Sequence, residues 1–340
     1  MSQVSTSVFV AGAGAVSPAG WGVAALTVAL EAGVPLPEEP LAGSAGSSPA
    51  LARRVPAPVP RPPYLAHPRL RRSSAVSHFA VGAALESLGG DAVRVTRREL
   101  RLGIVCAVMS GGVTYSRRFY AETLENAATA SPMLFPETVF NAPASHVGAV
   151  LGTSRLNYTL VGDQTAFVQG LALAADWLRD DEVDGCVVVA SEEADWLTTA
   201  ALKPFRHTPV PGEGAGAVYL RREPANVELT AVSDPELFTR GRNRAEAWTV
   251  VRDQLASVPA EALWAVTSSR VDCSGPGWPA RQVVPSAILG EGLAAAGAWS
   301  CVAAASAVAS DGVHSAWVAV AGSNLQAIGA AFSKPGAPGS

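Results

Sequence analysis

The chain has 340 residues, with 25 basic and 29 acidic side chains and a formal charge of −4. So balanced a charge supplies no concentrated positive field for nucleic acid. A hydrophobic fraction of 49% against 16% charged excludes a disordered chain and requires a large buried core, in one large domain or two. The start lacks a basic segment followed by an apolar run, so no signal peptide is expected. The low-charge stretch Leu293 to Ala309 is too rich in Ala and Ser to read as a membrane span.

In chain order, Ser7 to Val10 predicts a strand that runs into a Gly-rich turn, Ala11 to Gly14, and Val23 to Glu31 predicts a helix. Residues 33–63 form a Pro-rich connection expected on the surface, because proline is excluded from helix interiors and central strands. A second helix begins near Ser73 or Ser74 and ends at Gly89-Gly90. Leu102 to Met109 reads as a continuously apolar strand, followed by helices over Arg117 to Asn126 and Ala144 to Leu151. Tyr158 to Val161 predicts a short strand, Ala166 to Leu178 a helix, and Gly185 to Ala190 a strand apolar enough for a sheet covered on both faces. Gly212 to Leu220 approaches another strand.

From Val227 the order repeats: strand to Val232, helix Arg244 to Leu255, strand Leu263 to Thr267, helix Leu293 to Ala309, and closing strands. Alternating strands and helices mean an α/β protein, and the repeated order suggests a duplication. The expected division is 1–222 for the first half, 223–333 for a shortened second half, and 334–340 for a flexible tail.

The opening VAGAGAVSPAG lacks the third glycine of a dinucleotide-binding loop, and no acidic residue closes a second strand after it. There is no G-x-S-x-G elbow and no P-loop. His67, His78, His146, His207 and His314 have no metal-ligand spacing, and Cys106, Cys186, Cys273 and Cys301 form no C-x-x-C pair. Neither cofactor nor metal is expected, and the cysteine usage suits a reducing cytoplasm.

Six segments in order resemble the β-ketoacyl synthases: VFVAGAGAVSPAGWG, RRSSAVSHFAVGAALESL, LGIVCAVMSGGV, FPETVFNAPASHVGAVLG, GCVVVASEEAD and GEGAGAVYL. GEGLAAAGAWSCVAAASAVASDG is similar to the late helix of the same family. The resemblance implies a thiolase-like α/β fold, two duplicated halves in a layered αβαβα arrangement. In that family a cysteine thiolate takes the acyl chain, and two histidines stabilise the oxyanion during decarboxylation and condensation. By the resemblance, Gln164 stands at the nucleophile position, and Ser286 and Glu291 at the lysine and histidine of the Lys-x-x-x-Gly-His segment. Thr267 to Ser269 falls where the first histidine is expected.

Loss of all three groups implies a chain that performs no condensation itself. The pattern is closest to the chain-length factor of type II polyketide synthases, including polyene-making systems. That subunit pairs with an active ketosynthase and shapes the tunnel for chains carried on an acyl carrier protein. Two alternatives stand beside it: a malonyl decarboxylase of the Gln type, which would still need its histidines, and an inert scaffold for the ketosynthase. The resemblance places Tyr158 to Val161 at the subunit interface and 113–140 towards the partner's site. Phe119, Tyr120, Met133, Leu134 and Phe135 become candidates for tunnel floor or interface. Ten arginines between 53 and 101 (Arg53, Arg54, Arg61, Arg69, Arg71, Arg72, Arg94, Arg97, Arg98 and Arg101) read as a solvated face or as a docking patch for an acidic carrier.

Overall fold

The computed structural model describes residues 7–43, 50–153, 155–202, 210–238, 243–267 and 276–336. The first half runs β1 (Phe9–Ser17), β2 (Gly20–Trp21), α1 (Val23–Ala32), β3 (Glu39–Leu41), β4 (Ala50–Ala52), α2 (Ala75–Leu88), α3 (Asp91–Thr96), β5 (Leu102–Val108), α4 (Val113–Asn126), α5 (Ala142–Leu151), β6 (Asn157–Val161), α6 (Ala166–Arg179), β7 (Gly185–Glu192), α7 (Trp196–Leu202) and β8 (Gly214–Arg221). The second runs β9 (Glu228–Val232), β10 (Glu236–Leu237), α8 (Arg244–Leu255), β11 (Ala262–Thr267), β12 (Arg281–Val283), α9 (Pro285–Leu289), α10 (Ala294–Ala309), β13 (Ser315–Ala321) and β14 (Gln326–Ser333).

The strands lie in the order β12-β11-β13-β14-β9-β1-β8-β7-β5-β6. This is one five-strand pattern used twice. β5 pairs in parallel with β6 and β7, and β8 is antiparallel to both β7 and β1. In the second half β11 pairs in parallel with β12 and β13, and β14 is antiparallel to both β13 and β9. The two patterns join through Phe9 against Glu228. The duplication inferred from element order is thus present in the strand pairing.

Helices α6 and α10 pack against each other and against strands of both halves, α2 and α5 cover the outside of the first half, and α8 covers the second. That gives five layers, α-β-α-β-α, with apolar clusters in the middle and on each outer face. Parallel strands covered on both faces must be apolar throughout, which is why β5 and β7 are buried at every position. α10 is Ala-rich because all but its last turn is enclosed by the protein, and among the described residues no helix is long and apolar enough to cross a membrane.

One expectation is overturned by packing. Residues 11–14 are not a turn but the middle of β1. A Cβ on Gly12 would lie 2.0 Å from the Ser87 carbonyl oxygen, and one on Gly14 would lie 2.0 Å from that of Ala83. The glycines therefore let the backbone of α2 lie directly on β1. The Pro-rich connection is also not wholly superficial, since Leu41, Ala50, Ala52 and Arg53 are buried and β3 pairs with β4.

Candidate functional site

The loop from β6 into α6 carries Asp163 and Gln164, both buried. Asp163 fixes the loop by accepting from the Thr165 amide at 3.0 Å and its hydroxyl at 2.6 Å. Its other oxygen accepts from the Asn324 amide in the turn between β13 and β14. Gln164 is held on two sides. Its Nε2 donates to Glu291 Oε1 at 3.0 Å, and its Oε1 accepts from the Ser323 amide and hydroxyl, each at 3.2 Å. Gly297 of α10 permits this, because a Cβ there would sit 2.2 Å from the Gln164 carbonyl oxygen.

Glu291 precedes α10. Its backbone is clasped by the 210–212 strap, donating to the Val210 carbonyl and accepting from the Gly212 amide, each at 2.8 Å. Its Oε1 also accepts from the Leu293 amide at 2.8 Å, while its buried Oε2 has no partner among the described residues. Burial pushes this carboxyl up to about 7, with the charge of nearby Asp163 adding to the rise and the bonds from Gln164 and Leu293 opposing it. Leu293 has φ 49° and ψ −122°, a backbone conformation that is costly for a residue with a Cβ.

The structure thus brings Gln164 and Glu291 together across 127 residues. Ser286 lies in α9, where its carbonyl accepts from the Gly290 amide; among the described residues its side chain bonds to neither Gln164 nor Glu291. Thr267 ends β11; Ser268, Ser269 and Cys273 lie outside the described residues, as does His207. Cys106, Cys186 and Cys301 are buried in β5, β7 and α10. Burial pushes the Cys106 thiol up to about 12 and raises the other two as well, so none of the three presents a thiolate at neutral pH. Ser323 was missed by sequence reasoning; its one signal is the Gly322-Ser323-Asn324 turn after the apolar β13.

A second set of carboxylates organises 113–140. Glu192 accepts from the amides of Met109 and Ser110, and Glu193 from that of Thr114 at 2.7 Å. Burial, with the neighbouring Glu193 charge, pushes Glu192 up to about 8 against the pull of the amides. Arg117 pairs with Asp195 at 3.1 Å. Glu137 meets buried His146 at 2.6 Å and accepts from the Ser74 amide at 3.2 Å.

So anchored, the segment turns apolar side chains outward. Tyr120 is 64% exposed, Met133 58% and Phe135 55%, whereas Leu134 is buried. Phe119 is half-buried against Phe135, their ring centroids 5.7 Å apart. β6 ends the sheet with Tyr158 and Val161 exposed.

The ten arginines of 53–101 divide into those paired within the fold and those at the surface. Arg53 caps the carbonyls of Ala287 and Ile288 at 3.1 Å, Arg54 pairs with Glu213 at 3.2 Å, Arg94 with Asp91 at 3.0 Å, and Arg101 with Asp184 at 2.6 Å. Arg61, Arg69, Arg71, Arg72, Arg97 and Arg98 are exposed. Among the described residues no group of three or more His, Cys, Asp or Glu could hold a metal ion.

No protein-family model and no curated protein matches the chain. Solved structures do. The chain is similar to the ishigamide ketosynthase/chain length factor at 17% identity and TM-score 0.75, with 97% of this chain and 100% of that one covered. A type II polyketide synthase assembly described as an acyl-carrier protein in complex with its ketosynthase bound to the hexaketide gives 17% and 0.80, covering 96% and 99%. The ketosynthase ApeO in complex with its chain length factor ApeC from Xenorhabdus doucetiae gives 12% and 0.77, covering 96% and 98%. The chain has the thiolase-like α/β fold of these ketosynthase structures.

Proposed function

We propose that this chain is a non-catalytic chain-length factor, the partner of an active ketosynthase in a type II polyketide or polyene system. The observation that carries the reading is Gln164. It occupies the start of the central helix with an amide, which forms no thioester, and that amide is tied to Glu291 and Ser323 rather than free to act. Segment 113–140 and the open edge of β6 support the second part of the reading. A firmly anchored lobe with outward aromatic and Met side chains, together with an edge strand paired on one side among the described residues, suits a large apolar interface with a second subunit. Acyl chains on a carrier protein are then the material measured, and Phe119, Tyr120, Met133, Leu134 and Phe135 the residues that limit their growth. The halves divide at 222/223 in this reading, with Ser286 and Glu291 replacing the second half's catalytic groups.

The test is reconstitution with an intact ketosynthase, carrier protein and reducing enzymes, with products read by mass. Phe119→Ala and Leu134→Ala, each confirmed to fold and bind the ketosynthase, should shift products to longer chains by on the order of one extension unit, because an aromatic or Leu side chain is a large volume to remove. Tyr120→Ala and Met133→Ala complete the set. Parental chain length from all four would reject the tunnel role, and failure of the wild-type chain to form a one-to-one complex with the ketosynthase by light scattering would reject the partnership.

A further inference from the structure

The segment that returns after α4 closes a small cavity against the turn preceding α2. The cavity holds about 330 Å³ and is lined by Arg72, Tyr115, Arg118, Ser131, Met133 and Leu134. Four of these side chains carry hydrogen-bond donors, and two of the four are guanidinium groups. We propose that the cavity binds a phosphate ester with a short apolar stem, the phosphate lying between Arg72 and Arg118. It shares no residue with the Gln164–Glu291 site. Met133 and Leu134 are also tunnel candidates, but binding here requires no ketosynthase, so the proposal stands or falls apart from the chain-length reading.

The local fold places each group. The turn carrying Arg72 is closed by the Ser73 amide at 3.4 Å and hydroxyl at 3.2 Å, both donating to the Leu70 carbonyl. Tyr115 and Arg118 lie three residues apart on α4 and so share a face. Glu122, one turn further on, accepts from Arg118 Nε at 3.1 Å and, through its other oxygen, from the Ser131 amide at 3.0 Å. That one carboxylate orients Arg118 and draws the returning segment over α4, which brings Ser131, Met133 and Leu134 to the cavity.

The positive charge is left available. Among the described residues Arg72 makes no ion pair and no side-chain hydrogen bond, and Arg118 is bound through Nε alone, which leaves its two terminal nitrogens. The acids nearby are engaged: Glu122 as above, Glu137 by His146 and the Ser74 amide, and Glu193 by the Thr114 amide. Burial, with the charges of Glu137 and Glu193, raises the Tyr115 phenol, which is therefore a donor and not an anion. Its contact with the Ser73 carbonyl, at 3.5 Å, is long enough to yield to a ligand oxygen. One guanidinium fork satisfies a carboxylate. Two forks from separate elements, with a phenol and a serine hydroxyl, match the more numerous and non-planar oxygens of a phosphate. Small-molecule sites span about 300–1,000 Å³, so this one holds a phosphate and a few carbons, for which Met133 and Leu134 are the apolar wall.

Isothermal titration calorimetry of the full chain tests this with butyl phosphate, inorganic phosphate and pentanoate. Butyl phosphate should bind one to one, and about tenfold or more tighter than either other probe. Arg72→Ala and Arg118→Ala should each weaken it about tenfold or more, whereas Arg97→Ala, which removes an exposed arginine outside the cavity, should leave it unchanged. A thermal melt without ligand checks that each variant folds; Arg72, with no partner to lose, keeps the test decisive if Arg118→Ala does not. The proposal is overturned by absence of saturable butyl phosphate binding, by wild-type affinity in Arg72→Ala, by an equal loss in Arg97→Ala, or by either other probe binding as tightly.

Discussion

Replacing Gly14 by Val should leave little folded protein. The new Cβ would start 2.0 Å from the Ala83 carbonyl oxygen and 2.9 Å from the Ser87 nitrogen. These are backbone atoms inside α2, so no side chain can turn aside to relieve the overlap. The helix would have to lift off β1, opening the core that holds Phe79, Ala80, Ala83 and Ala84. The cost is several kcal/mol, on the order of the whole ~5–15 kcal/mol by which a domain is stable. Gly90→Ala is the matched control, because Gly90 has φ −63° and open space around its Cα. It should change stability by about 1 kcal/mol or less. Soluble yield and a thermal melt by circular dichroism decide the matter. A Gly14→Val protein that melts cooperatively within a few degrees of the wild type would show that α2 is not seated on β1.

Trp299→Ala should produce the largest loss among ordinary core truncations, about 3–5 kcal/mol. Its indole is fully buried, and its N–H donates to the carbonyls of Val16 and Ala215, each at 3.1 Å. Those two residues are register partners in β1 and β8. One side chain of α10 thereby grips the strand pair at the centre of the molecule. Trp299→Phe separates filling from gripping: it keeps most of the apolar volume and loses the donor, and should cost roughly half as much. Urea midpoints at constant slope measure both. Equal midpoints for Phe and wild type would assign the whole effect to volume.

How much of this was legible beforehand differs from residue to residue. Strand β7 and helices α8 and α10 were read nearly to their ends, because a continuous apolar run and a closed periodic face are local properties. Gly12 and Gly14 were misread for the opposite reason. A Gly-rich run signals a turn within its own window, and the helix that needs those glycines comes some 70 positions later. The short α7 and α9 left no periodic pattern to find. Gln164 and Glu291 were singled out by resemblance, yet their mutual bond was not visible, since no spacing rule links residues 127 apart. The arginines were read from composition alone as a solvated face or a docking patch, and composition could not show that Arg53, Arg54, Arg94 and Arg101 are each paired with groups within the fold.

The pairing of β1 also sets an order of events during synthesis. This N-terminal strand is central in the sheet, flanked by β8 and β9. Apart from the short β2, its partners lie about two hundred residues on, so a nascent chain carries an apolar strand with most of both edges open until residue 221 has left the ribosome. At about 5–20 residues per second, that wait lasts on the order of 10–40 s. Local helices such as α2 can form meanwhile, but the strand on which α2 rests has no partner to fix its register. Removing residues 9–17 would therefore take out the middle of the sheet rather than trim its edge.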